Sequence, residues 1–118
     1  MAVTDSYRAF ILEQLSRVLP DVRSRSMFGG VGVYCGDLFF ALIDNDTLYF
    51  KVDEETRPDF EAIGMGPFRP FGEGGETMKY YEVSAELIEE QESLREWAQR
   101  AVAVARRAKR PRRPRKNG

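Results

Sequence analysis

The sequence has no histidine and a single cysteine, Cys35. Histidine is the commonest general base and transition-metal ligand near neutral pH, so Ser-His-Asp and Cys-His catalysis cannot be assembled from this chain. A lone cysteine makes no intramolecular disulfide and, without a second cysteine or a histidine, no zinc site. Long apolar runs are missing too. Stretches such as Leu38 to Ile43 fall far short of a bilayer span, and Asp5 and Arg8 interrupt the start of the chain where a signal peptide needs unbroken apolar residues. These absences predict a cytoplasmic protein with no catalytic residues, no bound metal and no cofactor.

What is present is the balance of an ordinary globular domain: 118 residues, 42% hydrophobic and 31% charged. The net charge of −1 conceals a segregation. Of 18 basic residues, eight lie between Arg106 and Gly118, a stretch without one acid, which leaves ten cations against 19 acids in the rest. The body is acidic and the tail basic.

Hydrophobic spacing predicts the elements. Thr4 or Asp5 caps a first helix whose face is Tyr7, Phe10, Ile11, Leu15, Val18 and Leu19, and Pro20 stops it. Three short β-forming runs follow, around Val31 to Tyr34, Leu38 to Ile43 and Thr47 to Val52, joined by Cys35-Gly36-Asp37 and Asp44-Asn45-Asp46. Turns this short make neighbouring strands antiparallel. A short helix over Glu54 to Ile63 with Gly64 at its cap comes next, then strands at Phe68 to Phe71 and Met78 to Val83 around a glycine-rich loop, the first pushed to a sheet edge by Pro70. Ser84 caps a short helix through Glu90, and Ser93 with Glu96 reads as a capping box for a last helix with Leu94, Trp97, Ala98, Ala101 and Ala105 on one face. The order is α-β-β-β-α-β-β-α, an α+β domain over residues 1–108 followed by a basic disordered tail at 109–118. Phe28, Phe40, Leu48, Phe60 and Trp97 are expected to be mostly buried.

Three features invite a functional reading. Met27-Phe28-Gly29-Gly30-Val31-Gly32 resembles an anion-cradling loop, but it runs into β-forming residues without a lysine, which favours close backbone packing. The pairs Phe39-Phe40, Tyr49-Phe50 and Tyr80-Tyr81 place one ring on each sheet face, so half the rings are left for an open face that could stack bases or meet a partner. The tail is the strongest signal. Arg106, Arg107, Lys109, Arg110, Arg112, Arg113, Arg115 and Lys116 form an arm suited to nonspecific contact with phosphate backbones.

The runs Met27 to Tyr34, Phe40 to Ile43, Leu48 to Asp53 and Arg57 to Ala62, with Tyr80 to Val83 and the Trp97 helix, resemble the TfoX N-terminal domain family. The resemblance covers about residues 5 to 108. It implies a two-layer α/β sandwich with an antiparallel five-stranded sheet. It marks Met27, Phe28, Gly29, Gly30, Gly32 and Tyr34 as family-motif positions, structural or partner-binding, and implies a regulatory role in transcription or competence. The reading is a non-enzymatic regulatory or adaptor domain that binds a protein, a second copy of itself or, through its tail, nucleic acid. The alternative is a small ligand-binding protein or enzyme using Gly29-Gly30 with Tyr34, Lys51 or Cys35.

Overall fold

The computed structural model describes residues 3–27, 29–68 and 79–109. They form α1 (Asp5–Ser16), β1 (Val22–Met27), β2 (Gly30–Cys35), β3 (Leu38–Asp44), β4 (Thr47–Lys51), α2 (Arg57–Ala62), β5 (Tyr80–Glu82), α3 (Ala85–Glu89) and α4 (Gln91–Lys109). The five strands make one antiparallel sheet in sequential order, β1-β2-β3-β4-β5.

The turn chemistry explains the meander. Gly36, at φ 63, takes the first central position of the β2–β3 hairpin, the place a type II′ turn reserves for glycine. Asn45 and Asp46, both at φ 52, make the β3–β4 turn, and asparagine and aspartate are the side chains that best tolerate that region. Both turns match the natural twist of paired strands, so each strand folds straight back on its neighbour.

Val31, Val33, Ala41, Ile43, Leu48, Phe50 and Tyr81 turn to one face, where Ile11 and Leu15 of α1, Phe60 of α2, Leu87 and Ile88 of α3 and Leu94, Ala98, Ala101, Val102 and Ala105 of α4 close the core. The register slips by one residue where Val33 pairs with Ala41 and Tyr34 with Phe39, leaving Phe40 as the extra residue of a bulge. Phe40 therefore points into the core beside Phe50 while Phe39 points out.

Several expectations shift. The five strands are distributed differently, because Val22–Met27 is a strand that the sequence reading passed over. Of Phe68 to Phe71 only Phe68 is described; its N–H donates to the Tyr80 carbonyl at 2.8 Å, and Pro67 bridges Tyr81. Residues 69–78, which hold the expected glycine-rich loop, lie outside the described residues. The second helix starts at Arg57, where Pro58 is tolerated in its first turn, and ends on Gly64 at φ 87 with paired closing bonds from Gly64 N to Glu61 O and Met65 N to Phe60 O. Ser93 caps nothing: α4 begins two residues earlier, and the Glu90 carboxylate accepts the Ser93 N–H at 3.1 Å. Phe10 is 39% exposed, off the buried face of α1. Phe40, Leu48 and Phe60 are buried, Trp97 packs against the core but stays partly exposed, and Phe28 lies outside the described residues.

Candidate functional site

The glycine-rich motif is the corner of the β1–β2 hairpin. Gly29 sits at φ 81, and a Cβ on Gly30 would lie 2.7 Å from the Ile43 backbone oxygen and 3.6 Å from the Asp44 carboxylate. An anion placed here would face a carbonyl and a carboxylate, so the surroundings repel the ligand that such a loop ordinarily holds. Gly32 has a different neighbour: its missing Cβ leaves room for Met27 Cε at 2.7 Å and a Phe39 ring carbon at 3.1 Å. Tyr34 stacks on Phe39 with ring centroids 5.1 Å apart. The motif positions Met27, Gly32 and Tyr34 thus build one patch, while Gly29 and Gly30 shape the turn beside it; Phe28 is not among the described residues.

The groups of the enzyme alternative are not brought together. Tyr34 and Lys51 lie on the face turned from the core, two strands apart. Cys35, the next residue after Tyr34, points to the other face, and its thiol donates to the Pro20 carbonyl at 3.3 Å. Burial raises the pKa of Cys35, only partly offset by Arg106, so the thiol stays protonated and passive. A cleft of about 310 Å³ lies between α1, the β3–β4 turn, β5 and α3, lined by Tyr7, Phe10 and Ile88 with Asp46, Glu82 and Glu89. Asp46 is already engaged there, since its two carboxylate oxygens accept the Thr4 N–H at 2.8 Å and the Thr4 hydroxyl at 3.0 Å. Among the described residues no three Cys, Asp or Glu side chains converge as metal ligands.

The tail cations divide. Arg106, Arg107 and Lys109 belong to α4, whereas Arg110, Arg112, Arg113, Arg115 and Lys116 lie outside the described residues. Arg107 donates to Asp53 Oδ2 at 2.6 Å, and Lys109 Nζ is 3.6 Å from Asp37 Oδ2. Asp53 also accepts the Glu55 and Thr56 N–H groups, each at 3.0 Å, so one carboxylate fastens the entry of α2 to the end of α4. Burial works against its charge, but Arg107 and these amides hold its pKa below the usual carboxylate value. A carboxyl whose pKa is depressed by folding stabilises the fold above its unfolded pKa of about 4, and that contribution is lost as pH falls through the folded value. The Arg107→Ala variant should therefore lose less stability than the parent between pH 7 and 3 in urea melts, at a cost at neutral pH of about 1 kcal/mol or less for so exposed a pair. Equal acid sensitivity would show that the contact carries no weight.

Outside the main core, the described residues include a row of rings on the outer face of the sheet. Tyr34 and Phe39 stack, Phe39 meets Tyr80 at 5.8 Å across β4, and the Lys51 ammonium lies 5.2 Å over the Tyr80 ring. Tyr49 and Phe68 make a second pair at 4.7 Å. Tyr80 is only 5% exposed yet stands outside the main hydrophobic cluster, so the row is a small packed layer of its own. Burial, with a smaller contribution from Tyr34, pushes its phenol up to about 12. Burial and the neighbouring Lys79 lower the pKa of Lys51. Period-two alternation places these rings outward; what the sequence hides is that they touch.

Residues 13–105 match the profile of the TfoX N-terminal domain. No curated protein matches the chain.

Proposed function

The chain belongs to the TfoX N-terminal domain family, and on that premise we propose that it is a non-catalytic regulatory or adaptor domain that contacts nucleic-acid phosphates through its C-terminal arm. The observation that carries this is the end of α4. Asp53 and Asp37 already take Arg107 and Lys109, and five more cations, Arg110, Arg112, Arg113, Arg115 and Lys116, follow with no acid among them. Cations in excess of nearby carboxylates gain most from polyanions, whose condensed counterions they release. The helix dipole accounts for basic residues in the last turn of α4 but fades beyond it. The separation of Tyr34, Cys35 and Lys51 over two faces supports binding over catalysis, and transcription or competence is the process to which the family points.

Titration of a mixed-sequence DNA duplex with the intact chain and with a chain lacking residues 110–118 tests this. The intact protein should lose affinity steeply with salt, with a log–log slope of about 0.9 for each phosphate neutralised, hence about 4.5 if all five cations engage. The truncated protein should bind weakly, with a nearly flat dependence. Equal binding by both proteins, or none by the intact chain at low salt, would refute the proposal.

A further inference from the structure

We propose that the free edge of β1 takes up an extended, acidic segment of another protein as an added strand of the sheet. This goes beyond the reading above and requires neither nucleic acid nor the C-terminal arm.

The backbone is the first argument. β1 is one margin of the sheet, and the other margin is already occupied. The Phe68 N–H donates to the Tyr80 carbonyl and the Glu82 N–H to the Gly66 carbonyl, so residues 66–68 run along the outer side of β5. Phe68 and Lys79, which flank residues 69–78, both lie at that opposite margin, away from β1. At β1 itself, the Gly36 N–H donates to the Asp21 carbonyl at 2.9 Å and fixes the phase of the β1–β2 ladder. Alternate residues Arg23, Arg25 and Met27 therefore turn their N–H and C=O groups toward β2, and Val22, Ser24 and Ser26 turn theirs away from it. Among the described residues no group bonds those outward N–H and C=O groups. A row of this kind is the template on which an added strand pairs.

Charge selects the occupant. Arg23 and Arg25 stand exposed on the outer face of β1, and on the inner face the Arg8 guanidinium spans the Ser24 and Ser26 hydroxyls at 2.9 and 3.1 Å. Asp21, the acid beside this edge, is taken by Arg23 at 2.9 Å, whereas among the described residues no carboxylate pairs with Arg8 or Arg25. An incoming strand is thus flanked by a cation on each face. Carboxylates at alternate positions of that strand fall opposite Arg23 and Arg25, the placement in which unlike charges attract across a ladder. Small hydroxyl side chains at the positions between meet Ser24 and Ser26.

The same arginines disfavour a second copy of this chain. Antiparallel pairing of two β1 strands about Ser24 sets Arg23 of each opposite Arg25 of the other, and pairing about Arg25 sets arginine on arginine. Either two-fold contact carries like charges directly across the ladder. The arginines act both as a guard against self-pairing and as a selector for an acidic strand.

The probe is a labelled, end-capped peptide of about ten residues alternating glutamate with threonine, the long end of natural strand lengths, with a lysine-threonine peptide as control. Anisotropy is measured on the intact chain and on one lacking residues 110–118, because a basic arm attracts acidic peptides by itself. The described core ends at Ala105, before the cut. The shortened chain should bind the glutamate peptide and not the lysine peptide. Ser24→Pro removes an outward N–H and leaves the bonds to β2 in place, and it should weaken binding by about tenfold or more, whereas Ser24→Ala, which keeps the amide, should bind nearly as the parent does. Arg25→Glu, at an exposed position, should weaken the glutamate peptide by about tenfold and improve the lysine peptide. These variants should leave duplex DNA binding by the intact chain unchanged, so the edge and the arm stand or fall separately. Binding by the intact chain alone would assign the peptide to the arm and overturn the proposal. So would a folded Ser24→Pro and a folded Arg25→Glu that both bind as the parent does, or no binding by either chain at the highest soluble peptide concentration. If the parent dimerises and Ser24→Pro makes it monomeric without changing peptide affinity, the edge belongs to a second copy and the proposal fails.

Discussion

Replacing Phe60 with alanine is expected to lower the unfolding free energy by about 3–5 kcal/mol, a large share of the ~5–15 kcal/mol that holds a domain of this size together. Phe60 is fully buried, edge-on to Trp97 at 4.7 Å and to Tyr81 at 6.1 Å. It is the buried residue of α2, a six-residue helix too short to persist without tertiary contacts. Removing the ring leaves a cavity and also loosens what α2 carries outward, namely the Tyr81 hydroxyl donating to Glu61 at 2.5 Å and Arg100 reaching Asp59 at 2.6 Å. Urea melts should show a lower midpoint with little change in slope, and Phe60→Leu should recover most of the loss because it refills most of the volume. Trp97→Ala should cost less, since part of that ring already faces solvent beneath Arg100. A Phe60→Ala protein within about 1 kcal/mol of the parent would mean that α2 does not close the core.

The fold was legible where local chemistry and burial agree. The hairpins around Gly36 and around Asn45-Asp46 were readable because those residues supply the positive φ that tight turns demand. The final helix was readable from its apolar spacing, though its start was not: Ser93 and Glu96 have the capping-box spacing, but Glu90 captures the Ser93 amide first. The strand Val22–Met27 is hard to see in the sequence because, after Val22, its inward positions are Ser24 and Ser26, which offer no apolar period to detect. They accept hydrogen bonds from the Arg8 guanidinium of α1 at 2.9 and 3.1 Å, so a polar seam joins α1 to that edge of the sheet.

The candidate surface was legible in part for the same reason. Period two sends Tyr49 and Tyr80 outward and Phe50 and Tyr81 inward, and β4 and β5 keep it. The bulge at Phe40 is what places both Phe40 and Ala41 in the core, and nothing in Leu38 to Asp44 announces it. Long-range pairing was out of reach. Arg107 finds Asp53 across 54 residues, so a cation that reads as part of a free arm is a clamp on the folded domain. Lys109, expected at the start of the tail, belongs to α4.

Gly30→Val should be among the most damaging substitutions on the surface, and its contrast with Gly29→Ala separates two reasons for glycine in one motif. At Gly30 the obstacle is space: a Cβ would come within 2.7 Å of the Ile43 oxygen, a backbone atom fixed in the ladder by the pairing of Val31 with Ile43. A flexible side chain could swing aside, but a strand carbonyl cannot without opening the β2–β3 ladder. The expected loss is about 3 kcal/mol, the upper end for an overpacked site, and still more if the ladder opens. At Gly29 the obstacle is backbone conformation. Nothing lies within 4 Å of a Cβ there, but φ 81 strains any residue with a side chain, so Gly29→Ala should cost about 1–2 kcal/mol and Gly29→Asn less. Were these glycines an anion cradle, both variants would melt near the parent and differ from it only in binding. A Gly30→Val protein with an unchanged melting temperature would therefore overturn the packing account and return the motif to the ligand-binding alternative.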